Sequence, residues 1–196
     1  DMAVQNVSPA SEAAQQIDQV SETAREVIRT VDEIVWAGSP RNDTLDSAIH
    51  YVCRHAEEFF ELTPIELELE LPGDVPACRL SAEVRHNLFC AVKESLNNVL
   101  KHAQATKVRI TFAVRPAEFE VTVNDNGCGF DTARSADFQS ALSQTSSLHG
   151  NRGPQWNKGD GLLNMRERLE SIAGRCVIES ANVGGTCVTF TVSLRI

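Results

Sequence analysis

The chain has 196 residues, 42% of them hydrophobic and 23% charged, which is enough for a proper core in one or two domains. Lys and Arg number 18 against 27 Asp and Glu; the net charge of −9 argues against a general nucleic-acid or anionic-membrane binder, while a local basic site stays open. No apolar run of about 18 residues is present to span a bilayer, and the six cysteines show neither C-x-x-C nor Cys/His zinc spacing, so they read as reduced and the compartment as cytoplasmic.

The chain opens at Asp1 and soon enters a patterned helix, so it reads as a piece of a longer protein. Ala10, Ala13, Ile17, Val20, Ala24, Val27, Val31 and Ile34 repeat at spacings of 3 and 4, a heptad seam over 10–37 that needs a partner helix. Gly38–Ser39–Pro40 ends it. Asn42 or Asp43 is placed to cap a helix from about 44 to 61, with Leu45, Ile49, Val52 and Ala56 on its apolar face. Ile65–Leu71 alternates apolar and Glu, a half-buried strand. After the Pro72–Gly73–Asp74 turn, Ser81 opens a central helix running to about Ala103.

On that helix Glu94, Asn98, Lys101 and His102 fall within about a third of a turn of one another at 100° per residue. The stripe Leu88, Val92, Leu96, Val99 and Ala103 lies roughly 135° away and forms the core face. A carboxylate, an amide, an ammonium and an imidazole together suit a metal-bound polyphosphate, although a solvated mixed-polar helix face would look the same. Thr106–Val114 and Glu118–Val123 read as antiparallel neighbours around Pro116–Ala117.

The second strand runs into Asn124–Asp125–Asn126–Gly127–Cys128–Gly129. Asn–Gly is a hairpin signal, but no strand follows at hairpin distance. Asp125 at a strand end is also placed to accept from an exocyclic amine such as adenine's, with Gly127 and Gly129 allowing close backbone approach. Residues 131–158 are rich in Ser, Gln, Asn and Gly and read as a mobile lid. Gly159–Asp160–Gly161 precedes a helix with Leu162, Met165, Leu169 and Ile172 on one face; it is either an anion site or a plain loop-to-helix junction. Arg175–Ser180 and Thr186–Leu194 are strands joined by the turn at 182–185. This order implies an α+β two-layer sandwich: a mostly antiparallel mixed sheet covered on one face by helices, over 63–196, preceded by a helical segment over 1–62.

E-x-x-x-N-x-x-K-H on a helix, a strand followed by D-x-G-x-G, a loop, G-x-G before a helix, and G-G-T before the last strand resemble, in order and type, the ATP-binding domain shared by histidine kinases, type II topoisomerases, Hsp90-like chaperones and MutL. The likeness covers roughly 65–194. More narrowly, Leu162–Leu–Asn–Met–Arg–Glu–Arg168, and Asp32–Glu–Ile–Val–Trp36 running through to Leu45, resemble the nitrate-sensor type of bacterial sensor histidine kinase. The resemblance implies Asn98 as ligand of Mg²⁺ on the phosphates, Lys101 and His102 as phosphate contacts, and Glu94 as base or polarising group. Asp125 would bind the adenine amine with Thr186 beside it, and Gly127, Gly129, Gly159 and Gly161 would shape the pocket and the lid hinges.

It further implies ATP as cosubstrate, a homodimer through helix 10–37 and a response regulator as partner, with no nucleic acid and no membrane contact by this stretch. A full-length protein anchored in the inner membrane is compatible with that. In this family the phosphoacceptor is a His followed by an acidic residue; the five histidines here precede Tyr51, Ala56, Asn87, Ala103 and Gly150. The acceptor helix is therefore expected to lie elsewhere and the chain alone not to autophosphorylate. Two alternatives share the motifs: a serine protein kinase of the anti-sigma-factor type, which normally lacks a long heptad helix, and a non-catalytic nucleotide-gated interaction module.

Overall fold

The computed structural model describes residues 20, 23–24, 27–28, 30–130, 161–181 and 184–194. The expected lid at 131–158, Gly159, and the seam positions Ala10, Ala13 and Ile17 lie outside them. The chain forms two compact units, Asp1–Ser39 and Pro40–Ile196. In the first, residues 30–38 are helical (α1), and the seam residues Val20, Val27, Val31 and Ile34 are exposed.

The second unit begins with α2 (Leu45–Phe60). Its cap is Thr44, whose Oγ1 accepts the Ser47 N–H at 3.2 Å, rather than Asn42 or Asp43. Asp43 is engaged elsewhere: its carboxylate lies 3.4 Å from Arg79, and its carbonyl accepts the Leu80 N–H at 2.7 Å. This unit takes in α2, because the buried stripe Leu45, Ala48, Ile49, Val52, Ala56 and Phe60 packs that helix onto its neighbours in the sandwich.

Five strands follow the alternation of the sequence: β1 (Glu66–Glu70), β2 (Lys107–Arg115), β3 (Glu118–Asp125), β4 (Arg175–Ser180) and β5 (Thr186–Ser193). They form one sheet in the order β1-β2-β3-β5-β4, with β1 parallel to β2 and every other pair antiparallel. Val108, Ile110 and Phe112 of β2, Phe119, Val121 and Val123 of β3, and Val188, Phe190 and Val192 of β5 are buried on one face. α2, α3 (Ala82–Asn98) and α4 (Gly161–Ser171) cover it, α4 contributing Met165 and Leu169.

The opposite face is polar. Arg109 meets Glu68 at 2.8 Å and Lys107 meets Glu68 at 3.1 Å, a solvated ladder that gives no helix a reason to pack there. All six cysteines are free, and burial pushes the Cys176 thiol up to about 12 and that of Cys53 to about 11, so both stay protonated at neutral pH.

α3 is the element that carries the site. Ser81 caps it, its Oγ accepting the Val84 N–H at 3.2 Å, and Leu88, Phe89, Ala91, Val92 and Leu96 bury its inner face. Ser81→Ala is expected to lower stability by about 1 kcal/mol in a denaturant melt, the usual size of a lost cap. The α-helix ends at Asn98, and the chain continues through a π-helical turn, Val99–Ala103, stopped by Gln104 at φ 53°. The sequence pattern predicts one uniform helix to Ala103. The wider turn rotates Lys101 and His102 away from the positions that a constant 100° step assigns them, and such turns are frequent where helices carry function.

Candidate functional site

In β3 the inward positions run Phe119, Val121, Val123 and then Asp125. The strand's period of two therefore aims a carboxylate into the core layer, and Asp125 is only 5% exposed. The strand predicted from sequence ends at Val123. It extends two residues further because Asp125 still has partners on both sides, Val108 on β2 and Thr186 on β5. That register sets the Thr186 side chain directly beside the Asp125 carboxylate on the same face.

Asn126–Gly127 makes no hairpin: β3 is flanked by β2 and β5, and the segment after it serves as a clamp. Asn126 Oδ1 accepts the Thr106 and Lys107 N–H groups at 3.0 and 2.9 Å, and its Nδ2 donates to Thr106 Oγ1 at 2.9 Å. The Cys128 N–H donates to the Ala103 carbonyl at 2.8 Å, fastening the loop to the end of the π turn. Gly127 is required there, since a Cβ would overlap the Ala103 carbonyl. Its N–H donates to Asp125 Oδ1 at 2.8 Å. Burial pushes the Asp125 carboxyl above the usual carboxylate range, and backbone N–H groups of Gly127 and Thr186 pull it partly back.

Between this edge and α3 lies a cavity of about 150 Å³ lined by Ser95, Asn98, Val99, His102, Ala103, Val123, Asp125, Gly129, Phe130, Leu162, Thr186 and Val188. A space of that size holds one flat aromatic ring system, while larger ligands need several hundred Å³. Its walls are mostly apolar. Asp125 and Thr186 stand on the sheet side, and Asn98 and His102 on the α3 side.

Of the residues singled out from sequence, Asn98, His102, Asp125, Gly129 and Thr186 line the cavity. Glu94 and Gly161 do not, but they meet each other: a Cβ on Gly161 would run into the Glu94 carboxylate. Gly127 lies behind Asp125. Lys101 is exposed and outside the lining. Sequence reasoning missed Ser95, Phe130, Leu162 and, behind the lining, Ser180. Ser95 was within reach, lying one turn before Asn98 on the same side of α3. Ser180 was within reach of turn counting, since it pairs with Thr186 across the β4–β5 turn.

Residues 83–196 match the family model described as "Histidine kinase-, DNA gyrase B-, and HSP90-like ATPase". The chain is 30% identical over 142 residues to the sensor histidine kinase MctS of Rhizobium johnstonii, covering 72% of this chain and 26% of that protein. It is 31% identical over 128 residues to the nitrate/nitrite sensor protein NarX of Escherichia coli, covering 65% of this chain and 17% of that one. It thus spans about a quarter or less of the length of these relatives. The histidine kinase domain of the blue-light activated kinase EL346 from Erythrobacter litoralis shares the fold, with a TM-score of 0.59 at 17% identity over 95% of this chain and 86% of that one.

Proposed function

The chain belongs to the histidine kinase-, DNA gyrase B- and HSP90-like ATPase family, and we propose that it is the ATP-binding catalytic portion of a two-component sensor histidine kinase. The observation that carries this is the Asp125–Thr186 register, which sets a buried carboxylate and a hydroxyl side by side in a cavity the size of a purine ring.

Asp125 accepts from the adenine amine and Thr186 stands next to it. Gly127 fixes the carboxylate by its N–H, and the apolar walls take the ring faces. The triphosphate leaves the cavity on the α3 side, past Asn98 and His102, with Lys101 reaching it from outside. Asn98 offers the hard amide oxygen that Mg²⁺ prefers, and such a site needs only one or two side chains beside phosphate oxygens. Bound Mg²⁺ would neutralise charge on the phosphates. Glu94, held against Gly161 at the start of α4, polarises or deprotonates the attacking imidazole. The protein's contribution is mainly positioning and charge stabilisation, as in other phosphoryl transfers.

No histidine of this chain precedes an acidic residue, so the acceptor is a histidine on a dimerisation helix outside it, and this chain alone does not label itself. The exposed seam Val20, Val27, Val31 and Ile34 is covered by a partner helix in a homodimer. A response regulator receives the phosphoryl group. No helix among the described residues is long and apolar enough to cross a membrane.

Calorimetric titration with ADP and a non-hydrolysable ATP analogue tests the reading; micromolar-range binding is expected, and no binding by the folded protein overturns it. Removing Mg²⁺ with EDTA should weaken the analogue about tenfold and adenosine not at all. In Asn98→Ala that EDTA effect should vanish. Radiolabel from the γ-phosphate should appear on an added acceptor helix and not on this chain.

A further inference from the structure

We propose that the open edge of β1 and the groove beside it dock an extended segment of a partner protein. That segment alternates apolar residues with Lys or Arg and adds to the sheet as a sixth strand.

β1 stands at the end of the sheet order, with β2 as its one neighbour among the described residues. The Glu66 N–H donates to the Thr106 carbonyl on the β2 side at 2.9 Å. Backbone groups alternate along a strand, so the N–H and C=O groups of Leu67 and Leu69 face the open edge, ready to pair with another strand. The core layer also stops short there. Leu67 and Leu69 pair in register with the completely buried Val108 and Ile110 of β2, yet are themselves only half-buried. Between them and α2 runs a groove of about 690 Å³ that Phe60 and Ile65 also line. Leu71, next in the alternation, is 58% exposed. Ile65, Leu67, Leu69 and Leu71 thus form an apolar strip roughly 20 Å long, which suits about seven extended residues.

Charge decides which segment fits. Glu57, Glu58 and Glu61 line the groove, and Arg54, 4.0 Å from Glu58, is the one cation among the residues lining it. On the outer face Glu66, Glu68 and Glu70 share Lys107 and Arg109, three carboxylates to two cations. The apolar strip is therefore flanked by surplus negative charge on both sides. A second copy of β1 laid against it would bring like glutamates together, which disfavours pairing between copies of this chain. An alternating basic segment instead sets its apolar side chains on the strip and its cations against the glutamates. The groove shares no lining residue with the nucleotide cavity, so the proposal does not depend on that reading.

The test titrates the whole chain with a labelled peptide alternating valine and lysine, at low and at raised salt. Micromolar-range binding that weakens with salt is expected, with amide NMR shifts centred on Leu67, Leu69 and Leu71. Three comparisons identify the mode. A peptide of the same composition with its lysines and valines in separate blocks should bind about tenfold more weakly, because its apolar residues no longer fall on one face. A backbone N-methylated peptide, which cannot donate to a strand edge, should lose binding to a similar degree. Glu57→Lys/Glu61→Lys changes two exposed side chains and should weaken the alternating peptide about tenfold with an unaltered thermal melt. No binding by the folded chain, or equal binding in any of the three comparisons, overturns the proposal. Shifts at the same amides on concentrating the protein without peptide would assign the edge to a second copy and overturn it as well.

Discussion

Asp125→Asn is expected to lower adenine-nucleotide affinity about a hundredfold or more while leaving the ligand-free protein at least as stable as wild type at neutral pH. The affinity loss has two parts. The charge-assisted bond to the amine disappears. The new amide must also keep its oxygen on the Gly127 N–H, where Oδ1 sits now at 2.8 Å, and so it points its NH₂ group at the ligand's amine, donor against donor.

The stability gain follows from the direction of the pKa shift. Burial raises the Asp125 carboxyl in the folded state. A group shifted that way contributes fully below its unfolded value and loses that contribution as pH rises through the folded value. Near neutrality the ionised carboxylate therefore burdens the empty fold, and asparagine carries no such burden. Thermal melts of the two proteins should separate in favour of the variant as pH is raised from roughly 4 towards 7. Nucleotide binding by wild type should weaken on acidification through the raised value, where the carboxyl becomes protonated and loses its charge. A variant less stable than wild type at neutral pH, or one that still binds, would refute this account.

Gly185→Ala should be a strongly damaging substitution at the site. Gly185 has φ +75°, and a Cβ there would overlap the Asp125 carbonyl. Both the strained conformation and the clash involve backbone atoms, so no side chain can give way. The two effects together cost about 2–4 kcal/mol, a fall in melting temperature of roughly 5–15 °C for a chain of this size. What relaxation occurs moves Asp125, so nucleotide affinity should fall as well. Gly184→Ala is the control: its nearest neighbour would be the Ala181 Cβ at 3.4 Å, an ordinary contact, and its melt should resemble wild type. Two variants melting together would show that Gly185 is not under the constraint described.

Much of the site is legible in the order of residues alone. Asp125 continues the alternation of Phe119, Val121 and Val123, and a carboxylate at an inward position of an apolar strand is a functional signal in itself. The two halves of the pocket, an Asn/His helix and an Asp strand, are likewise each readable from local spacing. Continuation is what local spacing gets wrong. A helical wheel of one pitch to Ala103 runs through Lys101 and His102, whereas the chain there widens into a π turn in which both are exposed and His102 lines the cavity. Asn126–Gly127 carries a hairpin signal but closes a clamp onto Thr106, Lys107 and Ala103, since the strands on either side of β3 come from elsewhere in the chain.

Periodicity, caps and turns act over a few residues, and so the elements, their buried faces, the α+β class and the residue types available for nucleotide chemistry are all written into the sequence. Three relations are not. Thr186 standing beside Asp125, Gly161 meeting Glu94, and Ser180 meeting the Thr186 hydroxyl at 3.0 Å arise only in the folded chain. They depend on strand register and helix packing between separate elements, where a one-residue slip of a strand would turn its side chains to the other face of the sheet.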